Sequence, residues 1–337
     1  MTPAELRNLA GNLAQTEGAT SVITTHISQV LLTPNYVYKI PKAIQLPYLD
    51  FRSLEQRRNY CHQEIKLNRR FTEGVYLDVV PISKLDEQIV MGKGAGTLID
   101  YAIKMKRLPE ERLMSNMLEN GEVQGEHMVA IADQLVGFHR SAGKVVEPPD
   151  LQGMQEDFAD LRSAHTVVAE LIGPAAARTL EEWVIGGQQL LVKHEKRIQE
   201  RHQQQFYIEV HGDLHAANIF LLDRPVLFDC IAFNDPFRQA DQLNELAFFC
   251  MDLDHFGRSD LGDIFLQHYL QQLPCIATEE DQILFLYYKL YRANIRLKVN
   301  ALKWQQTTDT EEQKTRSEAV VSYYALMQRY CEALGIP

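Results

Sequence analysis

The sequence predicts an α+β protein with two lobes: a β-rich N-terminal lobe of about five strands and one long helix, and a mainly helical C-terminal lobe. Three observations predict it. The chain has 337 residues, the length of about two domains. Strand-like segments are concentrated in the first third, whereas apolar residues at helical spacing dominate after Pro109. We therefore expect a smaller lobe at residues 1–106 and a larger lobe at 107–337.

The N-terminal lobe is predicted to begin with a short helix and a hairpin. Thr2-Pro3-Ala4-Glu5 is a capping box with proline at the first helical position. Two β-rich stretches, 22–32 and 36–40, are separated by a Thr33-Pro34-Asn35 turn and predict the hairpin. A second capping box, Ser53-Leu54-Glu55-Gln56, predicts a long helix to about Phe71.

Three more strands complete the predicted sheet, at 77–82, 88–91 and 99–108. The glycine-containing run 92–96 separates the last two. Because it follows the helix and lies between strands, we interpret it as a hairpin loop and not as a phosphate cradle.

The C-terminal lobe is predicted from helical periodicity, for example Met128, Ala132, Leu135 and His139 on one helix face. Further helices are expected at about 154–172, 174–202, 238–254, 259–272, 279–303 and 310–334. One short β island interrupts them, with strands at 206–210, 219–222 and 226–228. A β-rich small lobe, a connecting segment and a helical large lobe with an embedded β island is the layout of the protein-kinase-like fold.

Composition excludes several classes of protein. With 45% hydrophobic and 23% charged residues, the chain is not disordered overall. No apolar run approaches the ~18 residues of a membrane span, and the N-terminus does not resemble an export signal, so we expect no membrane partner and a cytoplasmic location. A net charge of -11 argues against nucleic-acid binding. The five cysteines form no CxxC pair, and nothing in the sequence indicates an oligomeric state.

The residues that indicate chemistry lie in the β island. In His211-Gly212-Asp213-Leu214-His215-Ala216-Ala217-Asn218, Asp213 and Asn218 have the H-x-D-x-x-x-x-N spacing of a kinase catalytic loop, where the aspartate accepts the proton of the substrate hydroxyl and the asparagine holds magnesium. Asp229, at the end of the next apolar strand, would give Mg²⁺ a second oxygen ligand. The alternative is that these are ordinary turn and strand-end residues.

These residues stand in a longer resemblance. HGDLHAANIF followed by VLFD, together with THISQVLLTPNYVYKI, DYAIKMKRLP and LVGFHRSAG, resembles the aminoglycoside phosphotransferase and choline kinase family. The resemblance covers most of the chain and implies transfer of phosphate from ATP to a hydroxyl of a small molecule. It is greatest to a bacterial branch often fused to a P-loop ATPase domain. Since the chain has no GxxxxGK[ST], it resembles the phosphotransferase half alone and implies a P-loop ATPase as a partner.

The family pattern assigns further roles by position. Lys39 matches the strand lysine that contacts the α and β phosphates, and Glu64 matches the helix glutamate that pairs with it. Glu64 shares a helix face with Cys61 and Asn68, where a carboxylate needs a cation. The alternative is a surface salt bridge of Glu64 with Arg57, Lys66 or Arg69. Adenine would hydrogen-bond to the backbone of the connecting segment at Met105 and Arg107.

Two further residues are expected to support the catalytic loop: His211 by hydrogen bonds, and Asp241 as a brace, although an aspartate at a helix start is equally explained as a solvated acid. His139 and His215 are expected to be packed structural histidines. The 24–28 loop lacks glycine, and Asp229 is followed by Cys230-Ile231 instead of Phe-Gly. Both departures favour a constitutive metabolite kinase over a regulated protein kinase.

The acceptor is not fixed by the sequence. Seven acids between Asp235 and Asp263 predict either an acidic cleft wall for a cationic acceptor or a solvated surface. A late helix instead carries four cations that would suit an anionic acceptor: Lys289, Arg292, Arg296 and Lys298. Two other functions stay open, a Ser/Thr protein kinase and a catalytically silent nucleotide-binding module that regulates a partner ATPase.

Overall fold

A computed structural model describes residues 1–92 and 96–337 of the chain. The described residues form two compact units: Met1–Met117 with Ala217–Arg238, and Leu118–Ala216 with Gln239–Pro337. The lobe boundary expected after residue 106 stays a prediction. The mixture of one antiparallel sheet with a mostly helical remainder confirms the α+β, protein-kinase-like fold class.

The first unit contains a six-stranded antiparallel sheet in the order β1-β2-β3-β8-β6-β7. Its strands are β1 (Ser21–Thr24), β2 (Ser28–Leu32), β3 (Tyr36–Pro41), β6 (Tyr76–Leu85), β7 (Gln88–Met91) and β8 (Thr97–Lys106), and a small pair is formed by β4 (Gln45–Leu46) and β5 (Leu49–Asp50). The predicted strand 22–32 is two strands. Thr25 causes the break, because its hydroxyl accepts a hydrogen bond from the Ser28 N–H at 3.0 Å and closes a turn.

Two helices and a hairpin complete this unit. Helix α1 (Pro3–Thr16) packs Leu9 and Leu13 into the sheet core, and α2 (Leu54–Asn68) begins at the capping box of Ser53 and Gln56. The hairpin consists of β10 (Ile219–Phe220) and β11 (Val226–Leu227).

The predicted loop 92–96 is not a hairpin connection. Its residues 93–95 lie outside the described residues, but the strands on either side, β7 and β8, each pair with β6 and are not neighbours in the sheet. The true hairpin is the β6–β7 connection at Asp86-Glu87.

The second unit is mainly helical. Its first segment begins at Leu118, within the short helix α3 (Met114–Glu119). Its helices are α4 (Gly125–Ser141), α5 (Leu151–Ala159), α6 (His165–Leu171), α7 (Pro174–Lys193), α8 (Glu195–Gln203), α9 (Gln242–His255), α10 (Ser259–Gln272), α11 (Glu279–Gln306) and α12 (Thr310–Leu334). The predicted helices 154–172 and 174–202 are therefore each divided, the second at His194.

A two-stranded element lies among these helices. Strand β9 (Tyr207–Glu209) pairs with β12 (Gln239–Asp241), so the predicted helix at 238–254 starts only at Gln242. The start is fixed by Asp241, whose carboxylate accepts a hydrogen bond from the Leu243 N–H at 2.9 Å. Among the described residues, no helix is both long and apolar enough to cross a membrane.

Candidate active site

In the first unit, a largely buried lysine is held between two carboxylates. Strand β3 carries Lys39, whose Nζ donates to Glu64 Oε1 at 2.8 Å and to Asp229 Oδ1 at 2.6 Å. Glu64 comes from α2, and Asp229 follows β11. We call these three residues the Lys39 centre. It joins residues 190 positions apart in the chain.

The surface salt bridges considered for Glu64 are not formed. Arg57 donates instead to Asp100 at 2.7 Å, and Arg69 donates to the carbonyl oxygens of Tyr76 and Leu77. Glu64 is fully buried, and its cation is Lys39. A buried carboxylate of this kind requires a charged partner.

The charges of the Lys39 centre depend on one another. Burial by itself would lower the pKa of Lys39, but the charges of Asp229 and Glu64 outweigh it and hold that pKa well above its ordinary value. Burial raises the pKa of Glu64, and the charge of Lys39 partly offsets the rise. Lys39 is therefore a fixed cation over the whole physiological pH range.

Asp229 occupies a backbone conformation that few residues adopt. Its φ is 60°, in the left-handed region that aspartate tolerates better than most side chains. Two neighbours hold the turn: Tyr76 Oη accepts from the Asp229 N–H at 3.1 Å, and Asn68 Oδ1 accepts from the Cys230 N–H at 2.9 Å. The turn leaves the Asp229 side chain 44% exposed while its Oδ1 stays on Lys39.

Sequence reasoning did not assign functions to Asn68 and Tyr76. Asn68 was placed on the same face of α2 as Glu64, and that spacing was the available signal. Its role in fixing the Asp229 turn depends on a partner 162 residues away, which no local pattern reveals.

Asn218 lies at the same end of the β10–β11 hairpin as Asp229. Its carbonyl oxygen accepts from the Phe228 N–H at 3.0 Å, next to the Ile219–Leu227 pair. Within the described ranges there is no group of three or more His, Cys, Asp or Glu residues able to hold a metal ion. A carboxylate and an amide oxygen fit Mg²⁺, which is commonly bound through one or two protein oxygens together with substrate phosphates.

In the second unit, three residues from two helices hold the loop that carries Asp213. The Gly212 N–H donates to Glu245 Oε1 at 2.9 Å, and the Ala216 N–H donates to Asp252 Oδ2 at 2.8 Å. Arg292 of α11 donates to the Gly212 carbonyl oxygen at 3.1 Å. Hydrogen bonds to charged groups on both sides of Asp213 hold the backbone of the loop that carries it.

Glu245 is itself fixed by a buried histidine. His139 Nε2 lies 2.6 Å from Glu245 Oε2, and His139 Nδ1 lies 2.7 Å from the Tyr269 hydroxyl. Burial raises the pKa of Glu245, but the hydrogen bond from His139 outweighs it and the pKa is lowered. His139 is thus a packed histidine, as expected, and it supports the Asp213 loop through Glu245.

Asp213 is ionised at neutral pH. Burial raises its pKa, but His215, whose Nε2 lies 3.5 Å from Asp213 Oδ2, outweighs burial together with Arg296 and His211, and the pKa falls well below its ordinary value. His211 Nδ1 also accepts from the Asp213 N–H at 3.4 Å. With its side chain 40% exposed, Asp213 can accept a proton from a bound molecule.

Asp241 is buried and is not a solvated acid. Its carboxylate binds Arg201 at 2.6 and 2.8 Å and caps α9. The bracing contacts to the 211–216 loop come instead from Glu245, Asp252 and Arg292, which the sequence analysis did not single out for this purpose.

Met105 and Arg107 lie at the end of β8, in the first unit. Met105 pairs with Val37 of β3, and the Arg107 N–H donates to the Asn35 carbonyl oxygen at 2.9 Å. The Arg107 guanidinium donates to the Thr33 carbonyl oxygen at 3.0 Å. The segment is therefore fixed against the β2–β3 turn, and its role in adenine binding stays a prediction.

Comparison with known proteins identifies the family. The model of the phosphotransferase enzyme family APH matches residues 51–280. The chain belongs to this phosphotransferase family. The match confirms the resemblance seen in the HGDLHAANIF and VLFD strings.

The relatives are distant. Uncharacterized proteins of Mycobacterium tuberculosis and Mycobacterium bovis are each 30% identical to this phosphotransferase over 292 residues, covering 84% of its chain and 55% of theirs. The chain therefore spans about half the length of the curated relatives it matches.

Solved structures share the fold. A choline kinase from Cryptosporidium parvum is 13% identical with a TM-score of 0.56, covering 98% of this chain and 95% of that one. A choline/ethanolamine kinase family protein from Mesorhizobium loti is 13% identical with a TM-score of 0.54, at coverages of 97% and 95%. A spectinomycin phosphotransferase solved with ADP and spectinomycin is 11% identical with a TM-score of 0.52, at coverages of 96% and 98%.

The acidic run of the phosphotransferase is not one continuous surface: Asp241, Glu245 and Asp252 are buried, whereas Asp235, Asp260 and Asp263 are exposed. Six of its seven acids have internal partners: Asp235 with Arg238, Asp241 with Arg201, Glu245 with His139, Asp252 with the Ala216 amide, Asp254 with Lys289, and Asp260 with Arg258. Asp263 alone of the seven is exposed without such a contact in the part of the chain that is described. The run therefore gives no support for a cationic acceptor.

Proposed function

We propose that this phosphotransferase transfers the γ-phosphoryl group of ATP to a hydroxyl of a small molecule and requires Mg²⁺. The observation that carries the proposal is the Lys39 centre, a permanent cation held between a buried and a half-exposed carboxylate. The Asp213 loop, with its ionised carboxylate, adds support. The structural neighbours were solved as choline, choline/ethanolamine and spectinomycin kinases, one of them with ADP.

The residues proposed to bind ATP and Mg²⁺ would divide the work as follows. Lys39 binds the α and β phosphates, and Glu64 keeps its ammonium in place. Met105 and Arg107 offer backbone groups to the adenine. Asp229 and Asn218 would hold Mg²⁺, which neutralises charge on the phosphate oxygens when bound.

In the transfer step, Asp213 accepts the proton of the acceptor hydroxyl. The acceptor oxygen forms a bond to the γ-phosphorus as the bond between that phosphorus and the β–γ bridging oxygen breaks, and ADP leaves with the electron pair. His211, Glu245 and Arg292 hold the loop so that the Asp213 carboxylate stays in place, and Asp241 supports the start of α9 behind it.

Two other functions use the same residues. A Ser/Thr protein kinase would phosphorylate polypeptides, and a silent nucleotide-binding module would act through a partner, for which a P-loop ATPase is proposed on the basis of the family branch. The retention of Lys39, Glu64, Asp213, Asn218 and Asp229 favours an active enzyme.

Asp213→Asn tests the proposal. With labelled ATP and Mg²⁺, we expect label to pass from ATP to the small-molecule fraction of a cell extract and not to protein. Asp213→Asn should lower the rate about 10²- to 10⁴-fold, because the base is lost while the shape of the side chain is kept. Nucleotide affinity should stay within about twofold of the wild type.

Asp263→Asn is the matched control, an exposed aspartate of the same unit, and should transfer label at the wild-type rate. Labelled polypeptides would favour the protein kinase. Unchanged transfer in Asp213→Asn would refute the assigned base, and absence of any transfer by the wild-type protein would favour the silent module.

A further inference from the structure

Helix α11 carries a line of cations that begins at the Asp213 loop. Arg292, Arg296 and Lys303 are four and seven residues apart, so they lie along one side of the helix. Arg292 is bonded to the Gly212 carbonyl oxygen and to Asn244 Oδ1, which ties this side of α11 to the loop. Arg296 is one helical turn further on, about 6 Å along the axis.

Arg296 has hydrogen-bond donors that no protein group uses within the described residues. Its Nε donates to the Tyr323 hydroxyl at 3.2 Å, and its guanidinium lies 5.8 Å from the centre of the same ring. Among the described residues, neither of its two terminal nitrogens has a hydrogen bond or an ion pair, although the side chain is half-buried. A guanidinium has five N–H donors in a fixed fork that fits carboxylates and phosphates, so the terminal nitrogens of Arg296 can bind such a group.

Lys303 extends the same line and is crowded by like charges. The residue is exposed, and its ammonium makes no hydrogen bond or ion pair within the described ranges. Burial, followed by the charges of Arg316 and Arg296, lowers its pKa, while Glu312 and Asp213 act in the opposite sense. Arg316 of α12 binds Asn300 and Glu312 at 3.2 Å each through its terminal nitrogens, and its buried Nε has no hydrogen-bond partner. Among the described residues, the terminal nitrogens of Arg296 and the ammonium of Lys303 are not bonded to a protein group.

The loop that carries Asp213 is bonded to the first cation of this line, through Gly212 and Arg292. The Asp213 carboxylate interacts electrostatically with Arg292, Arg296 and Lys303. The same cations would attract a negative group on any molecule whose hydroxyl lies at Asp213. The acidic run offers a cationic acceptor less, because six of its seven acids are bonded to other groups of the protein within the described residues.

We propose that the phosphoryl acceptor is anionic, with a carboxylate or phosphate bound by Arg296 and Lys303 while its hydroxyl faces Asp213. This inference rests on the proposed function and names its substrate class. The transfer adds a second charged group to a molecule that already carries one.

The test separates a metabolite extract on ion-exchange resin into anionic, neutral and cationic fractions, and incubates each with labelled ATP, Mg²⁺ and the protein. We expect label to pass to the anionic fraction. Treating that fraction with phosphatase before the assay distinguishes the two anions, since only a phosphate monoester acceptor is lost. For the purified acceptor, KM should rise with ionic strength because the attraction is screened.

Variants then link the charge preference to the cations. Arg296→Gln should raise KM for the acceptor about 10- to 100-fold, the range expected for a lost charged hydrogen bond, and Arg296→Lys should restore part of it. Lys196→Gln is the control, because Lys196 is a highly exposed cation on α8 of the same unit, and it should leave KM within twofold. Thermal unfolding of each variant shows that it is folded.

Transfer confined to the neutral or cationic fraction would overturn the inference and leave the proposed function standing. An anionic acceptor whose KM is indifferent to Arg296→Gln would also overturn it. Failure of transfer in all three fractions would instead refute the proposed function itself, and the inference with it.

Discussion

Each unit of this phosphotransferase contains a cation between two carboxylates, fully buried in one unit and largely buried in the other, and the two arrangements differ in how much of their carboxylates solvent can reach. In the Lys39 centre, Lys39 is bonded to Glu64 and Asp229. In the second unit, Arg201 is bonded to Asp241 at 2.6 Å and to Asp281 at 2.7 Å. We call these last three residues the Arg201 centre.

The Arg201 centre is closed. Arg201 and both of its acids are almost entirely buried, and a further donor of Arg201 binds the Cys275 carbonyl oxygen. The Lys39 centre is open, because Asp229 is 44% exposed on a left-handed turn. Equal charge therefore has different consequences: a closed set of bonds can only stabilise the fold, whereas an exposed carboxylate next to a fixed cation can bind ligands.

An aspartate-to-asparagine substitution should mainly lower stability at the Arg201 centre and mainly lower catalysis at the Lys39 centre. The largest expected effect is on stability. Asp241→Asn keeps the helix cap but removes the charge, leaving Arg201 buried with one acid. We expect the free energy of unfolding to fall by about 3–5 kcal/mol, because breaking a buried pair strands a charge. Urea unfolding measures it. The control Asp263→Asn should change the free energy of unfolding by less than about 0.5 kcal/mol. If Asp241→Asn lowered it by no more than this control does, the Arg201 centre would not be structural.

At the Lys39 centre, the loss should appear in catalysis. Asp229→Asn should lower the rate of phosphoryl transfer about 10²- to 10³-fold, because a charged group near the phosphates is lost. The free energy of unfolding should change by less than about 1 kcal/mol, since the side chain is half-exposed and Lys39 keeps Glu64. Single-turnover transfer from labelled ATP measures the rate.

Asp223→Asn is the matched control for this substitution, because Asp223 is exposed in the turn of the same hairpin. It should transfer at the wild-type rate. If Asp229→Asn strongly lowered the free energy of unfolding but left the transfer rate unchanged, the Lys39 centre would be structural, like the Arg201 centre.

The sequence predicted local features of the fold well. The capping box at Ser53 and the helix at 310–334 were placed correctly because their signals lie within a few residues. The strand Gln239–Asp241 was missed, and a helix was expected there, because its partner Tyr207–Glu209 is some 30 residues away. Pairing over such a distance is decided by the tertiary structure.

The candidate site divides in the same way. Asp213, Asn218 and Asp229 could be proposed from the spacing of a short motif, and Lys39 and Glu64 from the family pattern. The residues that hold the Asp213 loop could not, since Glu245, Asp252 and Arg292 reach partners 33, 36 and 80 positions away. In the sequence, they appeared as members of an acidic run and a basic helix, and only the fold shows that they are internal supports.

Acid titration gives the smallest expected effect and tests the Arg201 centre further. Burial raises the pKa of Asp281, but hydrogen bonds from the Ala277 amide and Arg201 outweigh it and lower the pKa from its ordinary 3.8 to about 2. A lowered pKa stabilises the fold above the ordinary value, and that contribution is lost as the pH falls from about 4 towards 2. Between pH 5 and pH 2 the advantage of the wild type over Asp281→Asn in the free energy of unfolding should therefore shrink by about 2 kcal/mol. Urea unfolding at several pH values measures this difference, and a constant difference across the range would show that the Asp281 carboxylate is not held in its charged form by the Arg201 centre.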